Sequence, residues 1–579
     1  MVVSARHRWY VAVSVGLTLA FLLQCLVFVA ANGQTYDEGV NLAAGVRLLE
    51  TGRDDVNLEH PPLGKLLVAW PVRVFVEPRL DVAAWAARRE SAFGLGRDLF
   101  YNSGVPHERL LWFGRAPIVG MSLLLLVIIG LCAWRMWGPA AGLLALALAA
   151  FDPTLVAHGS LIGMDMTLTV WVTAGVFAVA EALRTRHPGW LALAGLFAGL
   201  AAATKHSGPV FAAMMCGSLA AHALLTGSLA PWWAPRRESR NRAQALLYAA
   251  GNALLVAGVA MVVLRLALGT AGWEPYLVGL RAQLAHQDVG HPAFLLGDIA
   301  QTGWVSYFPI ALAMKMPPAT LLLALASLLA IRRGAPWGAA IAVVLVPFAC
   351  VLASLLFARV NIGVRYALPL WPLVILMASR AATIPRPASG ACRVLLVIVL
   401  LQHPVAAIRV APHHLAYFSD LVGGPSQGRH YLGDSNLDWG QDISTLGRWL
   451  ATRERPRRLY LSYFGTADPK AYGVSYYAAP NSCPHPAPWT REPEPSTGRE
   501  LLAVSVMNMQ GTYFGDRDAY AWLATRHPVA VLGYSISIYD ITDDPDAHGA
   551  LAAMYERFGP KELAAEEHGR AVRLRAGIR

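Results

Sequence analysis

The chain has few charged residues and few cysteines for its length, and both shortages exclude whole classes of protein. Of its 579 residues, 15% are charged and 55% are hydrophobic, whereas a soluble globular domain carries roughly 25% charged residues. The six cysteines lack the paired spacing of a disulfide framework or a zinc site. The composition therefore excludes an ordinary soluble domain and a cysteine-built scaffold, and it favours a membrane protein.

Long apolar segments recur from the N-terminus to about residue 410. About 20 apolar residues are enough to cross the hydrocarbon core of a bilayer. Segments near this length, of which the fifth and tenth are shorter, lie near residues 9–31, 113–134, 139–157, 166–183, 190–204, 208–226, 244–266, 308–331, 337–357, 366–379 and 394–410. We predict a polytopic α-helical membrane protein with about 11 transmembrane helices. Residues 1–410 form its transmembrane module, with a long first loop over 32–112, and residues 411–579 form a soluble α/β domain.

Basic residues are concentrated at the N-terminus and in every second short loop, the pattern of segments that face the cytoplasm. These residues are Arg6, Arg8, Arg135, Arg184, Arg186, Arg236, Arg237, Arg240, Arg242, Arg332, Arg333, Arg380, Arg386 and Arg393. The pattern predicts a cytoplasmic N-terminus, with the first loop and the C-terminal domain extracytoplasmic. The first apolar run is long for a secretory signal, so we interpret it as an uncleaved anchor. The net charge of +11 then reflects topology and does not indicate a nucleic-acid partner.

The predicted outer face collects many ionisable residues close to the spans. Such residues are costly in or beside a bilayer, so each is a candidate for function. They are Asp37, Glu38, Glu59, His60, Lys65, Asp152, His158, Asp165, Lys205, His206, Lys315, Arg359 and Arg365.

Several of these residues also have a structural explanation. Asp37 and Asp165 precede or open helical segments and could serve as helix caps. Lys205 and Lys315 could extend along apolar surface toward the interface. Capping explains single residues better than it explains two acidic sites and several cations on one face, so we favour a functional site.

Carboxylates and cations together suit transfer chemistry that uses a lipid phosphate. A carboxylate can take the proton of an acceptor hydroxyl as general base, and two carboxylates can instead hold a divalent metal. Lysine and arginine side chains bind and neutralise phosphate. A lipid-linked sugar phosphate needs both kinds of group, because the phosphate departs with negative charge.

Specific motifs in the chain resemble the GT-C superfamily of polyprenyl-phosphate-dependent glycosyltransferases. The resemblance is to the branch with the protein O-mannosyltransferases and the bacterial family 39 enzymes, which includes the lipid A aminoarabinose transferases. The matching stretches cover most of the chain. They are Tyr36-Asp37-Glu38, His60-Pro61-Pro62-Leu63-Gly64-Lys65, His158-Gly159 with Asp165, Thr204-Lys205, Tyr307-Phe308-Pro309 with Lys315, the run 361–366 and the run 431–442.

The resemblance implies a role for each matching residue. Asp37 is implied as the base that activates the acceptor or as a metal-proximal acid, and Asp165 as the second acid. The candidates for binding the donor phosphate are Lys65, His60, Arg365, Lys205 and Arg115. The candidates for contact with the acceptor or sugar are Glu38, Glu59, His158, Asp434 and Asp438. A divalent metal, held by Asp37 and Asp165, is left open because family members differ in this respect.

The same resemblance implies the partners and the location. The donor is a polyprenyl-phosphate sugar, the acceptor is an unidentified glycan, lipid or protein, and the enzyme lies in a bacterial inner membrane. Two other classes of function stay open. A transporter or flippase for lipid-linked sugars would use the same charges as a pathway, although no inverted repeat is visible. A non-catalytic scaffold would act through its C-terminal domain.

The C-terminal region has the pattern of a small α/β unit. Alternating Val-, Ile- and Tyr-rich runs predict strands, and the segments between them predict helices. The strands are Leu459–Phe464, Leu501–Val506, Val529–Leu532 and Ser535–Ile541, and the helices are Asp516–Thr525 and Ala547–Arg575. For Asp434 and Asp438, a local network of turns is the structural alternative to a sugar contact.

Overall fold

The computed structural model describes residues 5–81, 85–86, 91–330, 341–384, 389–482, 498–514, 516–559 and 561–578. Up to residue 410, the described chain is almost wholly helical. Its α-helices are Ala5–Ala31, Glu38–Thr51, Pro62–Phe75, Ala92–Asn102, His107–Trp137, Pro139–Ala150, Pro153–His158, Met164–Thr185, Pro188–Thr204, Gly208–Thr226, Arg242–Ala267, Trp273–Val289, Tyr307–Lys315, Pro318–Leu329, Val346–Leu356, Leu370–Ser379 and Gly390–Val410. A two-stranded antiparallel ribbon, Ala293–Leu295 with Asp298–Ala300, interrupts them.

Six helices of the described chain are long and apolar enough to cross a membrane. They are Arg8–Ala31, His107–Trp137, Met164–Thr185, Gly208–Thr226, Arg242–Ala267 and Arg393–Val410. A bent pair, Tyr307–Lys315 with Pro318–Leu329, passes the same test jointly, and shorter apolar helices cover Pro139–Ala150, Pro188–Thr204, Ala342–Leu356 and Leu370–Thr383. These elements coincide with the apolar segments predicted from the sequence, and they define a multi-pass membrane protein.

The segment predicted as one span over 308–331 is broken. Its two helices meet at an angle of 111°. Met316 has an extended backbone, and Pro317 and Pro318 follow it. A proline lacks the N–H that continues a helix and disfavours helical backbone in the residue before it. Residues 331–340, which include Arg332 and Arg333, and residues 385–388, which include Arg386, lie outside the described chain.

The first loop is itself folded and carries three helices, Glu38–Thr51, Pro62–Phe75 and Ala92–Asn102. The first two cross closely, since a Cβ added at Gly45 would lie 2.2 Å from the Lys65 carbonyl oxygen. Only glycine permits this approach. The crossing fixes the loop between the two helices, residues 52–61, against the rest of the site.

The C-terminal domain is built on a five-stranded mixed sheet. In spatial order its strands are Tyr477–Ala478, Arg458–Ser462, Glu500–Ser505, Ile536–Asp540 and Ala530–Leu532. The first three are parallel to one another. The fourth pairs antiparallel with both the third and the fifth. Helices Ile443–Ala451, Val506–Gln510, Pro545–Phe558 and Lys561–Arg575 complete the domain.

Alternate residues along these strands pack on opposite faces, as the pleat of a strand requires. Leu459 and Leu461 pack in one apolar cluster with Ile443, while Tyr460 packs in another with Leu551. Both faces of the sheet are therefore covered by helices.

The four predicted strands are confirmed, and the predicted helices of this domain are partly wrong. The segment predicted as helix Asp516–Thr525 forms turns around a short 3-10 helix, Ala521–Leu523, over its described residues. The predicted helix Ala547–Arg575 is two helices, which separate after Gly559. Glycine is a weak helix former, and Gly559 has an extended backbone.

Candidate active site

The loop over residues 361–366 lies where the membrane helices meet the C-terminal domain. Val364 N–H donates to Asn436 Oδ1 over 2.9 Å, and Ser435 Oγ donates to the Ile362 carbonyl over 2.7 Å. Gly363 has φ +145°, and a Cβ there would lie 2.0 Å from Ser435 Oγ. The C-terminal domain therefore fixes the loop that carries Arg365.

Arg365 is the central cation of the site. Its Nη1 donates to Asp37 Oδ2 over 2.8 Å, and its guanidinium lies 4.4 Å from the centre of the Trp439 ring. Its buried Nε has no hydrogen-bond partner among the described residues. Arg365 is thus held by one carboxylate and one aromatic face, and it keeps an N–H with which to bind an anion.

Lys205 and Asp165 form a second ion pair beside Arg365. Asp165 lies in the first turn of helix Met164–Thr185, where the helix dipole favours a negative charge. Lys205 ends helix Pro188–Thr204, and its Nζ lies 4.4 Å from the centre of the Tyr366 ring. The guanidinium of Arg365 lies 5.3 Å from the same ring. Tyr366 therefore contacts both cations.

Neither acidic residue acts as a side-chain cap. Asp37 precedes helix Glu38–Thr51, but its side chain makes no capping hydrogen bond, and Gly163 stands at the cap position before Asp165. The Asp37 side chain is 25% exposed and that of Asp165 is 10% exposed. Asp37 is the more accessible carboxylate.

Two further carboxylates complete the group, which we call the Arg365 cluster. The charge of Arg365 acts on Asp434, which is buried, and on Glu59, which is exposed. The cluster consists of Arg365, Lys205, Asp37, Asp165, Asp434 and Glu59. Burial raises the pKa of Asp434, while the charge of Arg365 opposes that rise.

Glu38 and Arg115, predicted for contact with the acceptor and with the phosphate, form a sealed pair. Both side chains are buried, and Arg115 Nε and Nη2 donate to the two Glu38 oxygens over 2.8 and 2.7 Å. The remaining N–H groups of Arg115 donate to the carbonyls of Val29, Asn32 and Gly33. All five guanidinium donors of Arg115 are used in this arrangement.

Lys65, predicted to contact the phosphate, is also sealed. Its side chain is fully buried in an ion pair with Asp54, and its Nζ also donates to the Asn57 carbonyl over 3.3 Å. Lys65 therefore fixes the loop over residues 52–61, which carries Glu59 and His60.

The two predicted histidines lie beside the cluster. Burial, aided by the positive charge of Lys205, lowers the pKa of His60 to about 3. Burial likewise lowers the pKa of His158 to about 3, against the opposing charge of Asp165. Both rings are neutral at physiological pH, so they supply shape and hydrogen bonds and no charge for binding a phosphate.

The two predicted aspartates of the C-terminal domain differ in position. Asp434 belongs to the Arg365 cluster. Asp438 is buried and accepts from Met507 N–H over 3.1 Å and from Gly440 N–H over 3.4 Å. Burial raises the pKa of Asp438 to about 8. Asp438 therefore ties two segments of the domain together, as the turn-network alternative predicts.

Five residues of the site were missed from the sequence: Asp54, Tyr366, Tyr513, His286 and His291. Tyr366 lies within the recognised run 361–366 but was given no role, and the buried position of Lys65 required a partner such as Asp54. Tyr513 had no local signal, because it is 79 residues from Asp434, to which it donates a hydrogen bond.

The two carboxylates considered for a metal are each paired with a cation, and a divalent metal at this site stays a prediction. Asp37 is paired with Arg365 and Asp165 with Lys205. Among the described residues, no group of three or more His, Cys, Asp or Glu side chains is arranged to hold a metal ion. The site is a set of ion pairs.

Fold and site together define a multi-pass helical membrane protein with a C-terminal α/β domain and a charged cluster at their junction. Among solved structures, the chain is similar to ArnT from Cupriavidus metallidurans in the apo state, with 13% identity and a TM-score of 0.49. It is also similar to the same protein bound to undecaprenyl phosphate, with 14% identity and a TM-score of 0.48. Each match covers 93% of this chain and 98% of the other. No protein-family model and no curated protein matches the chain.

Proposed function

We propose that the protein is a membrane glycosyltransferase that moves a sugar from a polyprenyl phosphate to an acceptor hydroxyl. The observation that carries the proposal is the pairing of two carboxylates with two cations that both contact Tyr366. This group lies at the ends of two apolar helices, Met164–Thr185 and Pro188–Thr204. A lipid tail can stay in the bilayer there while its phosphate reaches the cluster.

The proposed role of the cations is to bind the phosphate. Arg365 has an unused N–H, and Lys205 is a point charge with three donors, of which Asp165 takes one. Fixed cations stabilise the charge that develops on a departing phosphate without reorganising during the reaction. Arg365 and Lys205 thus take the role for which the sequence also suggested Lys65, His60 and Arg115.

The proposed base is Asp37, since it is the more exposed of the two paired carboxylates. The acceptor O–H bond breaks, and its proton goes to the Asp37 carboxylate. The acceptor oxygen forms a bond to the anomeric carbon from the side opposite the phosphate. The bond from that carbon to the phosphate oxygen breaks, and the electron pair stays on the phosphate. One displacement of this kind inverts the configuration of the sugar.

The test is a transfer assay with the purified protein in liposomes. A panel of labelled polyprenyl-phosphate sugars is supplied, and mass spectrometry of the co-purified lipid guides the choice of sugar. Asp37→Asn should lower the transfer rate by about 10²- to 10⁴-fold, the contribution usual for a general base. Thermal unfolding should stay at the wild-type temperature.

The matched control is Asp55→Asn in the same loop. The Asp55 side chain is 45% exposed and pairs with Arg47, outside the cluster. This variant should transfer sugar at the wild-type rate. Wild-type activity in Asp37→Asn would contradict the assignment of the base. Lipid-dependent flux without any sugar transfer would favour a transporter.

We also propose a bacterial inner membrane as the location, with the N-terminus in the cytoplasm and the cluster on the outer side. The support is the alternation of basic loops along the sequence. A cysteine introduced at Asp55 should react with an impermeant thiol reagent added to intact cells. A cysteine introduced at Arg240 should react with the same reagent only after the cells are opened. Equal labelling from one side would contradict the orientation.

A further inference from the structure

The charges of the Arg365 cluster do not balance. Its cations are Arg365 and Lys205, and its carboxylates are Asp37, Asp165, Asp434 and Glu59. Four ionised carboxylates against two cations leave two negative charges in excess. The neighbouring His60 and His158 do not offset the excess, because burial lowers the pKa of each to about 3.

An incoming phosphate makes this imbalance worse, because it adds negative charge beside carboxylates that already compete for the same cations. Like charges held close together are relieved when one of the groups binds a proton. A metal ion could also offset them, but the described residues offer no group arranged to hold one. The cluster therefore needs a proton when a phosphate binds.

A chain of hydrogen bonds leads to one of these carboxylates. Tyr513 O–H donates to Asp434 Oδ2 over 2.7 Å. The Tyr513 oxygen lies 3.2 Å from His291 Nε2, and His291 Nδ1 lies 3.2 Å from His286 Nε2. His291 and His286 are only half-buried. The chain thus connects a buried carboxylate with side chains that water can reach.

The donors of this chain all point the same way. Because Tyr513 donates its proton to Asp434, its oxygen accepts from His291 Nε2–H, and neutral His291 then accepts from His286 Nε2–H. Burial lowers the pKa of His291 to about 4. A neutral His291 that donates once and accepts once passes a proton toward Asp434.

Asp434 is the carboxylate best placed to keep that proton. It is buried, and its backbone has φ +54°, an unusual value for a residue other than glycine. Ser435 N–H donates to its Oδ1 over 2.6 Å. The charged and titratable groups that act on it are Arg365, Asp37 and Tyr513, and its own charge acts on Tyr307. Glu59 is the exposed carboxylate of the cluster; burial raises its pKa as well, and the charges of both Arg365 and Lys205 oppose that rise.

We propose that the binding of a lipid phosphate at Arg365 and Lys205 is coupled to the uptake of one proton by Asp434, whose proton affinity is set by Tyr513, His291 and His286. The inference rests on the proposed function, because it takes these two cations as the phosphate site. It gives the C-terminal domain a direct part in binding the donor.

The sign of the coupling follows from the charges. A bound phosphate draws the charge of Arg365 away from Asp434 and adds a negative charge beside it, so the pKa of Asp434 rises on binding. Between the pKa values of the free and the bound states, binding takes up a proton. Affinity for the phosphate should then fall as the pH rises through this window, by at most about tenfold per pH unit for one proton.

The experiment measures the binding of a polyprenyl methyl phosphodiester to the full-length protein in detergent micelles. This probe carries one negative charge that does not titrate near neutral pH. Isothermal titration calorimetry in two buffers of different ionisation enthalpy counts the protons taken up with each ligand. At a pH between the pKa values of Asp434 in the free and the bound protein, wild type should take up about one proton per ligand at most.

Three variants grade the chain. Asp434→Asn should bind the phosphodiester without proton uptake and with little dependence on pH. Tyr513→Phe removes a donor that stabilises the ionised carboxylate, so its uptake should move to higher pH. His291→Phe leaves Tyr513 in place but no longer orients the Tyr513 hydroxyl. The pH range of proton uptake in this variant should shift in the same direction as in Tyr513→Phe, by a smaller amount.

The control is Asp420→Asn, an exposed carboxylate of the same domain that pairs with Arg409. It should take up the same number of protons as wild type. Proton uptake that persists unchanged in Asp434→Asn overturns the coupling and leaves the proposed function standing. If Asp434→Asn does not fold, Tyr513→Phe decides instead. A pH range of proton uptake equal to that of wild type in Tyr513→Phe overturns the coupling in the same way. A wild type that does not bind the phosphodiester overturns the phosphate site itself.

Discussion

Asp37 and Glu38 are adjacent in the chain, yet their ion pairs belong to two different kinds. The pair of Glu38 with Arg115 is buried and uses every donor of the guanidinium. The pair of Asp37 with Arg365 is partly exposed, and Arg365 Nε stays without a partner among the described residues. Lys65 repeats the first kind and Lys205 the second.

The difference teaches which charges hold the fold and which can bind a ligand. A sealed pair is costly to break, since the partner left behind is an uncompensated buried charge. An open pair keeps hydrogen-bond donors that its carboxylate does not use, as Arg365 Nε and the remaining donors of Lys205 show among the described residues. Whether the cation is a lysine or an arginine does not distinguish a sealed pair from an open one. The hydrogen-bond donors that the cation has left over do distinguish them.

The largest effect is expected from breaking the sealed pair. Arg115→Met leaves Glu38 buried without its cation and should lower the free energy of unfolding by about 3–5 kcal/mol. Thermal unfolding and the folded yield in detergent measure the change. Adding Glu38→Gln to this variant should restore part of the loss, and wild-type stability in Arg115→Met would contradict the comparison.

A smaller effect is expected from an open pair, and it should appear in binding. Lys205→Gln keeps a donor for Asp165 but removes the charge, so affinity for a polyprenyl phosphate should fall about 10- to 100-fold, the value of a hydrogen bond to a charged group. Lys65→Gln, its sealed counterpart, should lower stability and leave the affinity of the folded fraction unchanged. Equal losses of affinity in the two variants would remove the distinction.

The ring beneath Arg365 offers a third, weaker test. Trp439→Leu removes a cation–π contact worth about 0.5–2 kcal/mol, so binding of the phosphate should weaken about 2- to 30-fold. The matched control is Trp449→Leu, which removes the same kind of contact, at 4.2 Å, between a half-buried ring and the exposed Arg453. That variant should bind as wild type does, and a loss equal to that of Trp439→Leu would contradict a specific role for this ring.

The smallest effect concerns a sealed group within the C-terminal domain. His548 is buried between Glu567, at 2.6 Å from its Nδ1, and Glu500, at 3.1 Å from its Nε2. Burial alone would lower its pKa, but the hydrogen bonds to these two carboxylates outweigh burial, and the pKa is raised above the ordinary 6.5.

The raised pKa of His548 predicts the direction of a pH effect. The stabilisation is complete below pH 6.5 and is lost as the pH rises through the raised pKa of the folded state. Hydrogen-exchange protection of helix Pro545–Phe558 should decline over this range. His548→Gln should remove the dependence, and protection that is independent of pH in wild type would contradict the assignment.

Local patterns predicted the elements of this protein well. Alternation of apolar residues was enough for strands such as Leu459–Phe464, and apolar length was enough for the membrane helices. The break at Pro317 and Pro318 was readable as well, because proline ends a helix, but the apolar run around it concealed the signal. The segment from Asp516 failed because its residues favour turns as much as a helix.

The pairing of charges could not be predicted in the same way. The partners Glu38 and Arg115 are 77 residues apart, and Asp37 and Arg365 are 328 apart. Which cation is sealed depends on the crossing of helices and on backbone carbonyls, neither of which has a sequence pattern. The motifs indicated the region of the site. The hydrogen bonds showed which of its residues form sealed pairs and which form open ones.

Lys315, at the break between the two bent helices, determines how far the two halves of the protein can be exchanged. Its buried Nζ donates to the carbonyls of Leu415 and Asn436, over 2.8 and 2.7 Å, and lies 4.6 Å from the centre of the Phe418 ring. A chimera that joins these membrane helices to a foreign domain would leave this ammonium group without its acceptors. The membrane helices and the C-terminal domain therefore depend on each other. We expect recombination between related genes to keep residues 415–436 together with Lys315.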